Sequence, residues 1–410
     1  MITDYQPFHM MAKPVSYSCN MACEYCFYLE KEHTVFHDSN PSYRKTTTTR
    51  MDRNTLEKYI REYIESQPNE TIDFSWQGGE PTMAGLDYYR NVVQLQAKYS
   101  NGKKITNSFQ TNGYSINNSW CDFFSKHNFL LGVSIDGIPK NHDKYRIDCN
   151  GNPTSERIKK TLQLLQKYNV EFNTLTTIND QNWSNGKETY HYLKSLGARH
   201  LQFIPVIEQQ TELINKKRFN SDHNTLSITS FSAPPEGYGR FMIEVFDEWL
   251  RDDVGIVFIR LFDSILARWL GQSASMCVLS ENCGQSLVVE SNGDIYSCDH
   301  FVYAENCLGN IHNKTLRSLA LSHKQKEFGL NKSKNLTDQC LSCEVRELCF
   351  GGCPKHRIVT LSNQKHKQNY FCHSYRTIFR HTAPAMYMLS NAIKQGSNAR
   401  DAAYEISAMR

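Results

Sequence analysis

Short apolar runs alternate with longer amphipathic stretches through the first half of the chain. The runs Phe8–Ser16, Thr71–Trp76, Ile105–Gln110, Leu130–Ile135, Glu171–Thr177 and Leu201–Ile207 carry the β-branched and aromatic character of strands. Between them, Arg53–Ser66 (RNTLEKYIREYIES), Tyr88–Tyr99 and Ser155–Tyr168 space their apolar residues at helical intervals. Six β/α units in series predict an α/β fold with a parallel sheet, a partial (β/α)6 TIM-like barrel. In such folds chemistry gathers at the carboxyl ends of the strands. Gly78-Gly79-Glu80-Pro81 follows the second run, Thr111-Asn112-Gly113 the third, and Asp136-Gly137 the fourth.

From Glu208 to Gly239 the chain turns polar and irregular, closing on Ala233-Pro234-Pro235-Glu236-Gly237, and reads as an insertion or linker. Helical patterns around Arg240–Leu250 and Val257–Leu270 lead into a cysteine-dense stretch, Cys277 to Cys372. That stretch shows little hydrophobic periodicity, so metal clusters are expected to replace part of its core. A helical tail then runs to Arg410. The expected division is a barrel over 1–235, a helical connector over 236–276, a cysteine-rich domain over 277–372 and a tail over 373–410. No repeat of fixed period is present.

Composition narrows the function. In 410 residues, Lys plus Arg number 46 and Asp plus Glu 42, a net charge of +4 that argues against a dedicated nucleic-acid binder. Hydrophobic content of 40% and aromatic content of 12% exclude a disordered chain. Met1 to Pro14 lacks an apolar signal core, and the most apolar stretch, Val254 to Leu270, is interrupted by Arg260, Asp263 and Arg268. A soluble cytoplasmic protein is expected, with no membrane contact. There, fourteen cysteines point to metal ligands or catalytic groups rather than disulfides.

The first cysteine group, Cys19-x3-Cys23-x2-Cys26, follows the first strand. Three thiolates in one tight loop can hold three corners of a [4Fe–4S] cube and leave one iron open to an outside ligand. A zinc site completed by His33 or His37, or three unrelated thiols, are the plainer alternatives. The second group comprises Cys277, Cys283, Cys298, Cys340, Cys343, Cys349, Cys353 and Cys372. Eight thiols complete two clusters, and they would equally complete two four-cysteine zinc sites. The cluster inferred upstream favours iron and sulfur. Cys121, Cys149 and Cys307 read as ordinary small apolar residues.

The C-x3-C-x2-C spacing, with Tyr25 before its last cysteine, resembles the radical S-adenosylmethionine (SAM) superfamily. The Cys340-x2-Cys343-x5-Cys349-x3-Cys353 run resembles the SPASM auxiliary domain. Over nearly the whole length the chain is similar to anaerobic sulfatase-maturating enzymes. That similarity is carried by Cys26-Phe27-Tyr28, Trp76–Pro81 (WQGGEP), Ser108–Gly113 (SFQTNG), Ser134–Gly137 (SIDG), Asn292–His300 (NGDIYSCDH) and Gly351–Arg357 (GGCPKHR).

The resemblance implies three [4Fe–4S] clusters, one of which binds SAM. Cys277, Cys283, Cys298 and Cys353 would hold one auxiliary cluster, and Cys340, Cys343, Cys349 and Cys372 the other. Tyr25, Gly79, Glu80, Ser134, Arg146 and Ile207 would contact SAM: the GGEP turn its amino group, Ser134 its ribose and Arg146 its carboxylate. Taken alone, GGEP could be a tight turn, Ser134 a strand residue and Arg146 a solvated charge. The implied reaction oxidises a Cys or Ser side chain of an unfolded sulfatase to Cα-formylglycine under anaerobic conditions, with a flavodoxin or ferredoxin as electron donor. A deoxyadenosyl radical would take hydrogen from the target Cβ, and an auxiliary cluster would accept the following electron. Asp299, directly after Cys298, would take the proton; its plain alternative is a turn residue. Gln77 and Tyr28 could position the peptide, with core packing an equal reading for Tyr28. Competing readings are a SPASM maturase acting on another ribosomal peptide, a non-enzymatic iron–sulfur electron carrier, and a zinc-ribbon nucleic-acid binder.

Overall fold

The computed structural model describes residues 7–31, 50–210 and 227–409. His33 and His37 lie outside the described residues, as does 211–226 within the polar insert. One ten-stranded sheet organises the chain. Its strands are β1 (His9–Ala12), β2 (Thr71–Trp76), β3 (Lys104–Thr111), β4 (Phe129–Ser134), β5 (Phe172–Ile178), β6 (His200–Pro205), β7 (Phe258–Ile259), β8 (Ser286–Val289), β9 (Asp294–Tyr296) and β10 (Cys307–Asn310). The order is β10-β9-β8-β1-β2-β3-β4-β5-β6-β7, parallel from β8 through β7 and antiparallel across β8, β9 and β10. The two end strands are not neighbours in that order, so the sheet is open.

The six expected strands form within four residues of their expected ends, and Thr71–Trp76 agrees at both. Helix Arg53–Ser66 shows why the pattern works. Asp52 caps it by accepting from Thr55 N at 2.7 Å, and Leu56, Tyr59, Ile60, Tyr63 and Ile64 bury one face. Tyr59 and Tyr63 meet Phe74 of β2 edge-on, with ring centroids at 5.8 and 5.0 Å. Such aromatic pairs add to simple area burial.

One expectation needs correction. Phe258–Ile259, expected to be helical, extends the sheet beside β6 before helix Arg260–Trp269 begins. The cysteine-rich segment also contributes apolar side chains to the core. Its β8 aligns Leu287, Val288 and Val289 with Met10, Met11 and Ala12 of β1, and Leu287, Val289, Ile295 and Ile311 join the main core. The sheet therefore crosses the expected 276/277 boundary. A short strand such as SLVV, buried at three successive positions, has no period to detect.

The tail helix Cys372–Lys394 docks on helix Gly237–Asp252, which begins inside the stretch expected to be linker. Gly239 permits the approach, since a Cβ there would lie 2.9 Å from Ser374 Cα. Ser374 Oγ accepts from Gly239 N at 2.8 Å and donates to Pro235 O at 2.6 Å. No helix among the described residues is long and apolar enough to cross a membrane.

Candidate active site between the barrel and the cysteine-rich domain

The loop after β1 carries Cys19, Cys23 and Cys26 and is held by the β2 and β3 loops. Gly79 N donates to Ser16 O at 2.6 Å and Glu80 N to Ser18 O at 2.8 Å. A side chain at Gly79 would place Cβ 2.1 Å from Ser18 O, which explains the glycine. Glu80 is fully buried and acts as a clamp. Its Oε1 accepts from Thr82 Oγ1 at 2.7 Å and Thr111 Oγ1 at 2.8 Å, and its Oε2 from Asn112 N at 2.7 Å. Burial raises its carboxyl above the ordinary range, opposed by these donors. Cys19 Sγ faces Met21 N at 3.4 Å and Asn112 Nδ2 at 3.6 Å, donors suited to a thiolate.

A second hub forms at the ends of β4 and β5. Asp136 accepts from Tyr25 OH, from Arg146 Nε at 3.0 Å and from Thr177 N at 2.9 Å. The Arg146 guanidinium stacks over Tyr25 at 5.5 Å and reaches Thr177 Oγ1 through Nη2 at 3.3 Å. Arg146 is thus no solvated charge: it is buried and already holds one carboxylate, with guanidinium N–H groups left for another. Ser134 Oγ accepts from Gln110 Nε2 at 3.2 Å on the same side of the sheet. Ile207, 4% exposed, points into the main core, whereas its neighbour Val206 packs with Cys23, Tyr25, Tyr145 and Phe231.

The cysteine-rich domain closes over this end through a cluster of buried charge. Lys13, at 0% side-chain exposure, pairs with Asp299 Oδ1 at 2.5 Å; Asp299 itself retains 16%. Lys31 Nζ donates to the Asp299 main-chain oxygen at 2.6 Å. Tyr28 OH donates to buried Glu290 at 2.9 Å, and the ammonium groups of Lys13 and Lys31 lie 4.5 and 4.6 Å from the Tyr28 ring centre. Burial works to raise Asp299, but Lys13 and Lys31 overcome it and leave the carboxyl below its usual range. Burial also draws Lys31 down to about 8. Gln77 follows β2, with its N–H on Ala12 O at 2.9 Å.

The eight auxiliary thiols act on one another in two sets. For Cys298 the thiols that push it up are Cys353 and Cys277, for Cys353 they are Cys277 and Cys283, and for Cys283 it is Cys277. For Cys349 they are Cys372, Cys340 and Cys343, and for Cys372 they are Cys340 and Cys343. Cys340, Cys343, Cys349 and Cys372 also line one cavity of about 210 Å³. Burial first, then thiol repulsion, pushes Cys349 up to about 12; for Cys19, too, burial is the main cause of a value near 12. No three His, Cys, Asp or Glu side chains among the described residues gather closely enough for one ion. All-cysteine donor sets of three and four are those that iron–sulfur clusters take, and a four-cysteine set also suits zinc.

Asn112 and Asp136 sit inside motifs visible in the sequence, TNG and SIDG, although neither was singled out as a site residue there. Lys13, Lys31 and Glu290 carried no sequence signal, because burial of a charge cannot be read from its neighbours in the chain.

Comparison with known proteins gives this geometry its context. Residues 14–193 match the radical SAM superfamily and residues 277–344 the SPASM iron–sulfur cluster-binding domain. A serine-type anaerobic sulfatase-maturating enzyme of Bacteroides thetaiotaomicron is 39% identical over 390 residues, 94% of this chain and 92% of that protein. The chain belongs to the anaerobic sulfatase-maturating enzymes. Within that family, a cysteine-type member from Clostridium perfringens is 33% identical over 391 residues, 95% of this chain and 100% of the relative. The solved structure of native anSMEcpe with bound AdoMet and Cp18Cys peptide superposes with a TM-score of 0.80 at 31% identity, covering 95% of this chain and 100% of that one. Streptococcus suis SuiB, 16% identical with a TM-score of 0.59, shares the fold.

Proposed function

We propose that this radical SAM enzyme oxidises the Cβ of a Cys or Ser side chain, in an unfolded sulfatase segment, to Cα-formylglycine. The observation that carries the reading is Asp299: a carboxylate next to Cys298, ionised by Lys13, at the junction of barrel and auxiliary domain. Cys19, Cys23 and Cys26 hold the SAM-binding [4Fe–4S] cluster. Cys277, Cys283, Cys298 and Cys353 hold one auxiliary cluster, and Cys340, Cys343, Cys349 and Cys372 the other. When bound, these groups supply the electron that splits SAM, the resulting deoxyadenosyl radical, and an acceptor for the electron that later leaves the substrate.

The protein's own residues bind, orient and accept protons. The GGEP turn, fixed by Gly79 and Glu80, presents main-chain groups to the SAM amino group. Arg146 offers its remaining guanidinium edge to the SAM carboxylate, while Asp136 and Tyr25 hold its plane. Ser134 meets the ribose, and Val206 beside Ile207 supplies an apolar wall. Gln77 lies near the peptide path, and Tyr28 acts one step removed by fixing Glu290 under the lysines. After hydrogen leaves Cβ, one electron and one proton must also leave, and Asp299 takes the proton from the target hydroxyl or thiol; Ser then gives the aldehyde directly, whereas Cys gives a thioaldehyde that takes up water and releases hydrogen sulfide. A flavodoxin or ferredoxin supplies the reducing electron. Fourteen free thiols suit a reducing, cytoplasmic setting.

The test is anaerobic incubation of the iron-loaded enzyme with SAM, reductant and Cys- or Ser-containing sulfatase peptides, trapping aldehyde with a hydrazide. Aldehyde that disappears in Asp299→Asn, while SAM cleavage continues, supports the reading. SAM cleavage with both peptides unmodified moves the substrate to another peptide class.

A further inference from the structure

Two cations, buried Lys332 and half-buried Arg357, lie beside the auxiliary thiols and are used by nothing in the reaction described above. Lys332 lies in the last turn of helix His323–Lys334 and is 1% exposed. Its ammonium donates to Cys277 O at 2.7 Å, Val278 O at 3.1 Å and Ser280 O. Arg357 donates through Nη1 to Lys332 O at 2.7 Å and Asn335 O at 3.0 Å, through Nη2 to Phe350 O at 3.0 Å, and through Nε to Gly351 O at 3.2 Å. Lys332 thus grips the turn that starts at Cys277. Arg357 grips the crossover between Cys349 and Cys353, which belong to different thiol groups.

Every partner of these two side chains is a main-chain carbonyl. Among the described residues neither forms an ion pair with a carboxylate. A buried charge costs several kcal/mol unless an opposite charge lies close, and a neutral amide could have capped the same carbonyls. The anionic groups acting on Lys332 are Cys283, Cys277 and Cys353; those acting on Arg357 are Cys340, Cys283, Cys353 and Cys349. Four thiolates outweigh the charge of an oxidised four-iron core, so each occupied site is net negative. Net charge near a cluster is one determinant of its potential.

We infer that Lys332 and Arg357 are the countercharges of the auxiliary clusters, Lys332 serving the one held by the Cys277 group and Arg357 serving both, and that they raise the reduction potentials. The inference rests on the assignment of the two thiol groups to two clusters. A fixed positive charge favours the reduced cluster, which carries one electron more. An acceptor raised in this way takes the electron released by the substrate more readily. Both are positioning residues, since neither is placed against substrate.

The test uses full-length, iron-loaded enzyme in which Cys19, Cys23 and Cys26 are alanine, so that only the auxiliary clusters report. EPR-monitored redox titration, with iron and sulfide content, is run on that background and with Lys332→Met, Arg357→Gln, Lys332→Arg and Arg357→Lys. The neutral variants are expected to keep their iron and show at least a tenfold lower ratio of reduced to oxidised cluster at fixed potential, a shift of about 59 mV. The charge-conserving variants should stay near the parent. Loss of iron from the neutral variants alone also supports a charge requirement. Unchanged potentials in fully loaded neutral variants overturn the inference, as does loss of iron from all four variants alike, which assigns a packing role. If Cys340→Ala leaves the iron content unchanged, it is the cluster assignment beneath the inference that fails.

Discussion

Replacing Lys13 by Met removes one partner of the ion pair that joins β1 to the auxiliary domain. Lys13 is wholly buried and Asp299 nearly so, at 16%, with 2.5 Å between the charged atoms. Breaking a buried pair from one side costs about 3–5 kcal/mol, because the surviving charge keeps its desolvation penalty. The residual exposure of Asp299 favours the lower half of that range. For 410 residues the unfolding entropy is about 0.9 kcal/mol/K, so a loss of about 3–4 kcal/mol lowers the melting midpoint by roughly 4 °C. Anaerobic thermal unfolding of Lys13→Met, Asp299→Asn and the double variant gives the cycle. The double variant should regain about 2 kcal/mol over the sum of the single losses, since neither charge of the pair is left buried without the other. A Lys13→Met midpoint equal to that of the parent, or strictly additive losses, would refute the reasoning.

Gly79→Ala forces a Cβ to within 2.1 Å of Ser18 O and parts the loops around the first thiol group. It should abolish SAM binding by equilibrium dialysis and lower iron by roughly one third, the share of one cluster in three. Cys372→Ala should lower iron by a similar share while leaving SAM binding intact. Asp263, at the start of helix Arg260–Trp269, is pushed up to about 6 by burial, against about 3.9 in an unfolded chain. Its folded pKa is the higher, so its contribution is intact below about pH 4 and lost as pH rises to 6. Asp263→Asn should therefore raise the stability at pH 7 by about 2 kcal/mol after allowance for partial exposure, and flatten the pH profile of the melting midpoint between 4 and 6.

The barrel was legible because its strands and helices differ in period, and Arg53–Ser66 was fixed to the residue by an Asp52 cap and an apolar stripe. The loop thiols were legible from spacing. Less visible were features made by burial and long-range pairing. SLVV at 286–289 has no alternation, so its place beside β1 was hidden, and Phe258–Ile259 is too short to signal a strand. Strand phase accounts for Ile207: its side chain enters the core, while Val206 one position earlier turns toward Tyr25. The family resemblance pointed Arg146 at a carboxylate, but its first partner, Asp136, comes from another loop. The Lys13–Asp299 pair joins residues far apart in sequence, and no local pattern announces it.

The most direct measurement uses a sulfatase peptide deuterated at the Cβ of its target Cys or Ser, with iron-loaded enzyme, SAM and reductant under anaerobic conditions. Mass spectrometry follows deuterium in 5′-deoxyadenosine and aldehyde in the peptide. Deuterium transfer in step with aldehyde formation, with the aldehyde lost in Asp299→Asn, is the expected result. Unlabelled deoxyadenosine beside unmodified peptide would contradict the account.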